Sequence, residues 1–237
     1  MSDQRFERLE RLVGSSALQR LNGSAVAVFG IGGVGGYAVE ALVRGGVGKL
    51  TLVDFDSVDV TNINRQIQAL DSTIGQSKVA VMAKRCREIN PQVEIVSWVK
   101  AYSAETSPEL LECKFDYVLD CIDDISAKLH LLQTCHKLGM PVISAMGAAN
   151  KLDPTLIKVA DISVTQKCRL ARTIRKELRQ RGIVTGIKVV YSTEEFRALT
   201  GTDAGERNPV LGSSSYLPPL FGLTMAGEVL KTLIGDD

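Results

Sequence analysis

A glycine-rich turn near the start of the chain constrains its fold more than any other feature of the sequence. Residues 24–29 form a short apolar run, residues 30–36 read Gly-Ile-Gly-Gly-Val-Gly-Gly, and residues 34–43 place apolar and small side chains at helical spacing. A strand, a glycine-rich turn and a helix in this order let backbone N–H groups approach a phosphate at the positive end of the helix. The sequence therefore indicates an α/β fold that binds a phosphate-bearing ligand.

Strands and helices continue to alternate after this turn. Apolar runs predict strands at residues 49–53, 93–99, 117–121 and 141–144, and helical spacing predicts helices at residues 77–89, 107–113 and 125–138. Beyond them we expect extended chain at 157–164 and 187–191, a basic helix at 170–181, a mobile surface loop at 200–215 and a buried final helix at 216–234. The pattern predicts a Rossmann-like, doubly wound, mostly parallel sheet with helices on both faces and a C-terminal extension.

Composition favours a single cytoplasmic domain. The chain has 237 residues, of which 45% are hydrophobic, and its 28 basic residues nearly balance its 27 acidic ones, so net charge favours no partner. Its five cysteines form no CxxC pair, which fits reduced thiols in the cytosol. The N-terminus has no apolar signal core, and Pro218, Pro219, Glu228 and Lys231 interrupt the apolar C-terminal stretch, so we expect no transmembrane segment.

Polar residues follow two of the predicted strands, the second and the fourth. Asp54 ends the second strand, where an acidic residue commonly holds a ribose hydroxyl, and with the glycine turn alone it favours a nicotinamide dinucleotide. The polar run 55–66 and Lys78, at a helix start, instead suit additional phosphates. Asp123 and Asp124 follow the fourth strand and suit Mg²⁺. Each of these residues also has an ordinary structural explanation. The run 55–66 could be a capped turn with Arg65 in a surface ion pair, Lys78 could be a solvated lysine, and Asp123 or Asp124 could be a helix N-cap.

Together these segments resemble the nucleotide site of the ubiquitin-activating-enzyme-like superfamily, which includes the ThiF-type adenylating enzymes. The resemblance rests on residues 30–36, 46–48, 54–56, 62–66, 75–78 and 120–123, and it extends over essentially the whole chain. It implies one adenylation domain over residues 1–237, with an N-terminal helical arm (1–23), a nucleotide-binding half (24–147) and a half for substrate binding and dimerisation (148–237).

The resemblance also implies roles for individual residues. It places ATP against the turn residues Gly30, Gly32, Gly33 and Gly35, and its ribose on Asp54. It implies that the phosphates bind Asn62, Asn64, Arg65 and Lys78, that Asp123 holds Mg²⁺, and that Arg8 reaches the ATP of the other subunit of a homodimer. Asp123, Arg65 and Arg8 would then be catalytic. The implied chemistry is formation of an acyl adenylate with release of pyrophosphate.

Later motifs resemble one branch of this superfamily, the dehydratases that use ATP to cyclise N6-threonylcarbamoyladenosine in tRNA. They are found at residues 153–155, 159–162, 170–172 and 189–195, and Arg169 departs from the proline expected there. In that reaction the nucleophile comes from the substrate, so no catalytic cysteine is needed. The branch implies a modified tRNA as substrate and leaves room for a sulfur-transfer protein as partner.

The predicted basic helix gives separate support for an RNA partner. Arg172, Arg175, Lys176 and Arg179 fall at positions i, i+3, i+4 and i+7, on a single helical face, where they could follow RNA phosphates. A solvated helix face is the ordinary alternative for such a run of charges.

Three other functions are weighed against the dehydratase. An adenylyltransferase acting on the C-terminus of a ubiquitin-like sulfur carrier commonly has two CxxC pairs, and this sequence has neither. An NAD-dependent oxidoreductase would leave Asn64, Arg65 and Lys78 unexplained. A binding module that had lost activity would be expected to lack Arg65, Lys78 or Asp123, and all three are present.

Overall fold

The computed structural model describes residues 4–197 and 211–236. Its helices are α1 (Glu7–Val13), α2 (Ser15–Gly23), α3 (Gly35–Arg44), α4 (Lys78–Ile89), α5 (Ser107–Leu110), α6 (Ile125–Leu138), α7 (Arg169–Gln180) and α8 (Leu217–Ile234). Its strands are β1 (Ala25–Phe29), β2 (Lys49–Val53), β3 (Glu94–Trp98), β4 (Tyr117–Asp120), β5 (Val142–Ala145), β6 (Ile157–Asp161) and β7 (Lys188–Ser192). None of the described helices is both long and apolar enough to cross a membrane.

The strands form a single sheet in the order β3-β2-β1-β4-β5-β7-β6. All neighbouring strands are parallel except β6, which pairs antiparallel with β7 at the edge. The chain winds outward in one direction from β1 through β2 to β3, and in the other from β4 onward. At such a switch point the loops after the two central strands separate and leave a crevice at their carboxyl ends.

Helices cover both faces of the sheet because side chains alternate along each buried strand. On one face, Val26 and Val28 of β1 join the core formed with α3, α4 and α8. On the other face, Ala27 and Phe29 join the core formed with α5, α6 and α7. Both cores lie directly beneath the crevice and fix the strand ends that border it.

The predicted fold class is confirmed, and the predicted elements match apart from two local exceptions. The helix predicted at 107–113 ends at Leu110. Residues 162–164, expected to be extended, form a 3-10 turn because the Asp161 carboxylate accepts the N–H of Ser163 at 2.8 Å and ends the edge strand. Of the loop predicted at 200–215, only residues 211–215 lie in the described part, and they contain no helix or strand.

The C-terminal helix α8 packs closely on α3, the helix that follows the glycine turn. A Cβ atom on Gly222 would lie 2.1 Å from the carbonyl oxygen of Val34, whereas a Cβ on Gly227, in the same helix, would meet nothing within 4 Å. The absence of a side chain at Gly222 therefore allows the two helices to approach at this point.

We predict opposite effects for alanine at these two glycines. Gly222→Ala forces the helices apart and should lower the free energy of unfolding by about 1–3 kcal/mol, the usual cost of overpacking. Gly227→Ala should raise it by about 0.5–1 kcal/mol, because alanine is the better helix former at an open position. Urea denaturation monitored by circular dichroism measures both. Equal stability of the two variants would contradict the close packing of α3 and α8.

Candidate functional site

A cavity of about 950 Å³ opens at the carboxyl ends of the central strands. Its walls include the turn after β1, the segments after β2 and β3, the loop after β4 and the loop after β5. A doubly wound fold binds its ligands in the crevice at the carboxyl ends of its strands, beside the switch point. The sequence and the topology thus point to the same edge of the sheet.

The glycine turn shapes one wall of the cavity through close backbone contacts. Gly30 has φ 88°, and a Cβ there would lie 2.7 Å from the carbonyl oxygen of Cys121. A Cβ on Gly35, at the start of α3, would lie 1.8 Å from the carbonyl oxygen of Gly30. Gly30, Gly32 and Gly33 line the cavity, whereas Gly35 lies behind them and permits the tight entry into the helix. The N-terminus of α3 therefore adjoins the cavity and favours an anion there.

Asp54 fastens the turn to the end of β2. Its Oδ2 accepts the N–H of Ile31 at 2.6 Å and its Oδ1 accepts the N–H of Asp56 at 2.8 Å. Burial raises the pKa of this carboxyl, and the two backbone donors oppose that shift. Asp54 also lines the cavity, so it both holds the turn and presents an acceptor to a ligand.

Two cations border the cavity near the turn. Lys78, the first residue of α4, is only 5% exposed, and its ammonium lies 2.7 Å from Oδ2 of Asp56. Arg65 donates from Nη1 to the carbonyl oxygen of Thr61 at 2.9 Å, and a Cβ on Gly33 would lie 3.3 Å from Arg65 Cγ. Lys78 and Arg65 are therefore fixed beside the turn at which the N-terminus of α3 favours an anion.

Asn62 and Asn64 lie behind Arg65 rather than among the residues that line the cavity. The buried Asn62 side chain accepts the N–H of Asp59 at 3.2 Å and closes a capping box around a short 3-10 turn. The Asn64 side chain donates to the carbonyl oxygen of Ser213 at 3.1 Å and accepts from Arg65 at 2.8 Å. These contacts orient Arg65, while direct binding of phosphate by the two asparagines stays a prediction.

The two adjacent carboxylates after β4 have different surroundings. Asp124 caps α6, since its Oδ1 accepts the N–H of Ala127 at 2.7 Å. Asp123 precedes the cap and makes no such cap hydrogen bond, although both carboxylates are exposed and both line the cavity. No group of three or more metal-ligating side chains occurs in the described residues. A lone carboxylate still fits Mg²⁺, which commonly binds one or two protein carboxylates together with substrate phosphates.

A buried ion pair supports the loop that carries Asp123. Lys128 Nζ lies 2.7 Å from Asp120 Oδ2, both side chains are fully buried, and Ser144 donates to the same carboxylate oxygen at 2.6 Å. The other oxygen of Asp120 accepts the N–H of Ile122 at 3.1 Å. This network joins β4, β5 and α6 directly beneath the cavity.

The far part of the cavity has a basic lining that was not predicted as part of the site. Lys151, Lys167 and Arg169 line it, and the Arg169 guanidinium lies 4.3 Å from the ring centroid of Phe196. Lys167 and Arg169 directly precede the basic helix predicted at 170–181, and Lys151 was not considered as a site residue. Lys151 lies six residues after β5 ends, at the edge of the sheet where the other candidate residues lie. That position in the sequence could have identified it as a candidate.

The basic stripe of α7, defined as Arg172, Arg175, Lys176 and Arg179, borders a shallow depression of about 540 Å³ together with Gln180. Ala171, Ile174 and Leu178 on the opposite side of the helix are buried. Arg175 is also held internally, because its Nη1 donates to the carbonyl oxygen of Thr165 at 2.8 Å and to the Thr165 hydroxyl. Arg172, Lys176 and Arg179 are exposed.

Arg8 is separate from all these residues. It lies on α1, which buries none of its side chains, and it is exposed. The cavity of the same chain is not lined by Arg8. The role expected for Arg8, contact with the ATP of another subunit, therefore stays a prediction.

Comparisons with known proteins establish the family of this chain. The sequence matches the ThiF family over residues 6–237. It is 42% identical over 241 residues to a tRNA threonylcarbamoyladenosine dehydratase of Bacillus subtilis, a match that covers 98% of this chain and 95% of the relative. It is 29% identical over 242 residues to the molybdopterin-synthase adenylyltransferase of Escherichia coli, covering 99% of this chain and 85% of that protein.

The fold also resembles a solved structure. The crystal structure of the E. coli tRNA N6-threonylcarbamoyladenosine dehydratase TcdA in complex with ATP superimposes with a TM-score of 0.88 at 34% identity, covering 98% of this chain and 94% of that one. The sequence match, the doubly wound sheet and the cavity at its switch point lead to one conclusion: this chain belongs to the ThiF family.

Proposed function

We propose that this protein is an ATP-dependent enzyme that cyclises N6-threonylcarbamoyladenosine in tRNA through a carboxyl adenylate. The observation that carries the proposal is a single cavity lined by a glycine turn at a helix N-terminus on one side and by basic side chains on the other. The relatives named as tRNA threonylcarbamoyladenosine dehydratases match nearly the whole chain. One cavity can thus bring a nucleotide and a carboxylate of an RNA substrate together.

On this proposal, residues around the glycine turn bind ATP. Backbone N–H groups of the turn and the N-terminus of α3 face the phosphates, Lys78 and Arg65 withdraw charge as pyrophosphate leaves, and Asp54 accepts a hydrogen bond from the ribose. Asp123 would hold Mg²⁺, which supplies charge neutralisation at the phosphates. ATP is the nucleotide bound by the E. coli relative.

The proposed reaction balances without a nucleophile from the protein. A carboxylate oxygen of the substrate attacks the α-phosphorus of ATP, and pyrophosphate leaves. The carbamoyl group of the same substrate then attacks the activated carbonyl carbon, a proton is lost, and AMP leaves with the original carboxylate oxygen. Proximity of the two groups within one substrate favours the second step.

The buried cysteines agree with a route that avoids a thioester. Burial raises the pKa of Cys86 and of Cys135 to about 12. It also raises the pKa of Cys121, which lines the cavity. At neutral pH these groups are thiols, which are weak nucleophiles.

An adenylyltransferase acting on a sulfur-carrier protein is the second candidate function, because this chain is also similar to the E. coli molybdopterin-synthase adenylyltransferase.

We further propose that the protein is a homodimer in which Arg8 reaches the ATP of the partner. Two observations support this arrangement: α1 buries no side chain, and its Leu12 is 81% exposed, as expected of a helix that packs on a second copy. A monomer in sedimentation experiments would contradict it. A cytoplasmic location and a sulfur-transfer partner stay predictions.

Asp123 and Asp124 provide a matched test of the proposed function. With ATP, Mg²⁺ and threonylcarbamoylated tRNA, the wild-type protein should release AMP and pyrophosphate and remove one water from the nucleoside. Asp123→Asn should lower that rate at least about 100-fold, the usual effect of losing a group that stabilises transition-state charge. Asp124→Asn should keep near-normal activity, because asparagine is an equally good N-cap. Pyrophosphate release and mass spectrometry of the nucleoside measure both.

Two results would contradict this assignment. Turnover by the wild-type protein with a small carrier protein, but not with the modified tRNA, would favour the adenylyltransferase. Equal rates for Asp123→Asn and Asp124→Asn would contradict the role of Asp123.

The exposed part of the basic stripe gives a prediction on RNA binding. Replacing Arg172 and Lys176 by alanine should weaken tRNA binding. The slope of the logarithm of the tRNA association constant against the logarithm of the salt concentration should become shallower by about one for each phosphate that the variant no longer neutralises. The charge-matched pair Lys84→Ala with Arg87→Ala, exposed on α4 at the opposite face of the sheet, should bind normally. Filter binding across a salt series measures both. An unchanged salt slope in the stripe variant would contradict RNA binding there.

A further inference from the structure

Lys151 is a buried cation in the cavity that nucleotide binding leaves unexplained. The residue is only 5% exposed, and its Nζ donates to the carbonyl oxygen of Ser192 at 2.8 Å. Two other buried lysines, Lys78 and Lys128, each lie 2.7 Å from an aspartate. Within the described residues, Lys151 forms no such ion pair. A buried ammonium with one neutral acceptor is energetically costly unless an anion joins it.

The acidic side chain beside Lys151 is already engaged elsewhere. Oε2 of Glu194 accepts the N–H groups of Leu152 and Asp153, each at 2.8 Å, and Oε1 accepts from Arg197 Nε at 3.1 Å. Burial lowers the pKa of Lys151, and the charges of Cys168 and Glu194 oppose that shift only in part. Glu194 therefore contributes a nearby negative charge but forms no ion pair with Lys151.

The backbone holds Lys151 in place at some cost. Its neighbour Asn150 has φ 56°, a left-handed conformation that is uncommon outside glycine but that asparagine tolerates better than most residues. Asn150 is fixed there by hydrogen bonds through its backbone and side chain to Gly212 and Arg197, at 2.8–3.1 Å. Strain maintained by several hydrogen bonds is characteristic of functional sites.

The loop after β5 connects Lys151 to the edge that carries Asp123. Residues 145–149 line the cavity between the end of β5 and Lys151. β5 pairs directly with β4, so this lining starts beside Asp120 and the loop of Asp123. A ligand that contacts Lys151 thus shares one continuous cavity with a nucleotide at the glycine turn.

We propose that Lys151 binds the reacting carboxylate of the tRNA substrate and thereby selects the modified nucleoside. The inference rests on the proposed function, in which the nucleotide phosphates are bound by Lys78, Arg65 and the turn. The carboxylate is then the anion that remains for the far part of the cavity. An unmodified adenosine would leave the buried ammonium of Lys151 unpaired. A site discriminates strongly against a ligand that leaves one of its buried charges without a partner, so the modified nucleoside should be preferred.

The test compares one tRNA with and without its threonylcarbamoyl group. Wild-type protein should prefer the modified form, and Lys151→Met should reduce the ratio of the two affinities at least about 30-fold, as for loss of one partner from a buried charge pair. ATP affinity should not change. Lys151→Gln, which retains a donor for Ser192, should behave like Lys151→Met. Lys158→Met, exposed on β6, is the control and should match the wild type.

Stability provides a second readout that separates binding from folding. Because Lys151→Met removes an unpaired buried charge, its thermal midpoint should equal or exceed that of the wild type. A purely structural lysine would give a lower midpoint and an unchanged affinity ratio.

Each other outcome overturns the proposal in a recognisable way. Equal weakening of both tRNAs would mean that Lys151 binds an RNA phosphate, and weaker ATP binding would mean that it binds the nucleotide. An unchanged ratio would remove Lys151 from recognition. If the wild-type protein itself shows no preference and no turnover with the modified tRNA, the proposed function fails, independently of Lys151.

Discussion

The close approach of the Gly30 backbone to the backbone of Cys121 is the constraint on which the rest of the site depends. It occurs where β1 and β4 end side by side and the chain turns to opposite faces of the sheet. Since a Cβ on Gly30 would lie 2.7 Å from the Cys121 oxygen, a side chain there would push the two loops apart. The glycine turn and the Asp123 loop can therefore face one cavity only while this contact is maintained.

Buried polar groups make this arrangement rigid. Asp54 ties the glycine turn to β2, and the Asp120, Lys128 and Ser144 network ties β4 to α6 and β5. A buried ion pair contributes little net stability compared with apolar packing, but it specifies one geometry because its partners must meet. The same loops then present Asp123 and the loop leading to Lys151 to the cavity. Precise placement of the reacting groups is what an adenylation reaction requires from the fold.

Much of this could be predicted from the sequence because the signals are local. Strands, helices and the glycine turn depend on short-range spacing, and the parallel sheet then brings residues such as Asp54, Lys78 and Asp123 to one edge. Asp123 and Asp124 could not be distinguished from sequence, because either could cap α6, and only the backbone direction decides between them. The place of Asn64, held by the carbonyl oxygen of Ser213 and bonded to Arg65, also depends on a tertiary contact. The burial of Lys151 results from contacts with residues far along the chain, which no local pattern reveals.

The most direct measurement follows the oxygen atoms of the substrate carboxylate. The tRNA would carry a threonylcarbamoyl group whose carboxylate is labelled with a heavy isotope of oxygen, and the products would be separated and analysed by mass spectrometry. Attack by the carboxylate on the α-phosphorus of ATP predicts that one labelled oxygen appears in AMP and none in pyrophosphate. Unlabelled AMP, or label in pyrophosphate or inorganic phosphate, would contradict the carboxyl adenylate and with it the central claim about this site.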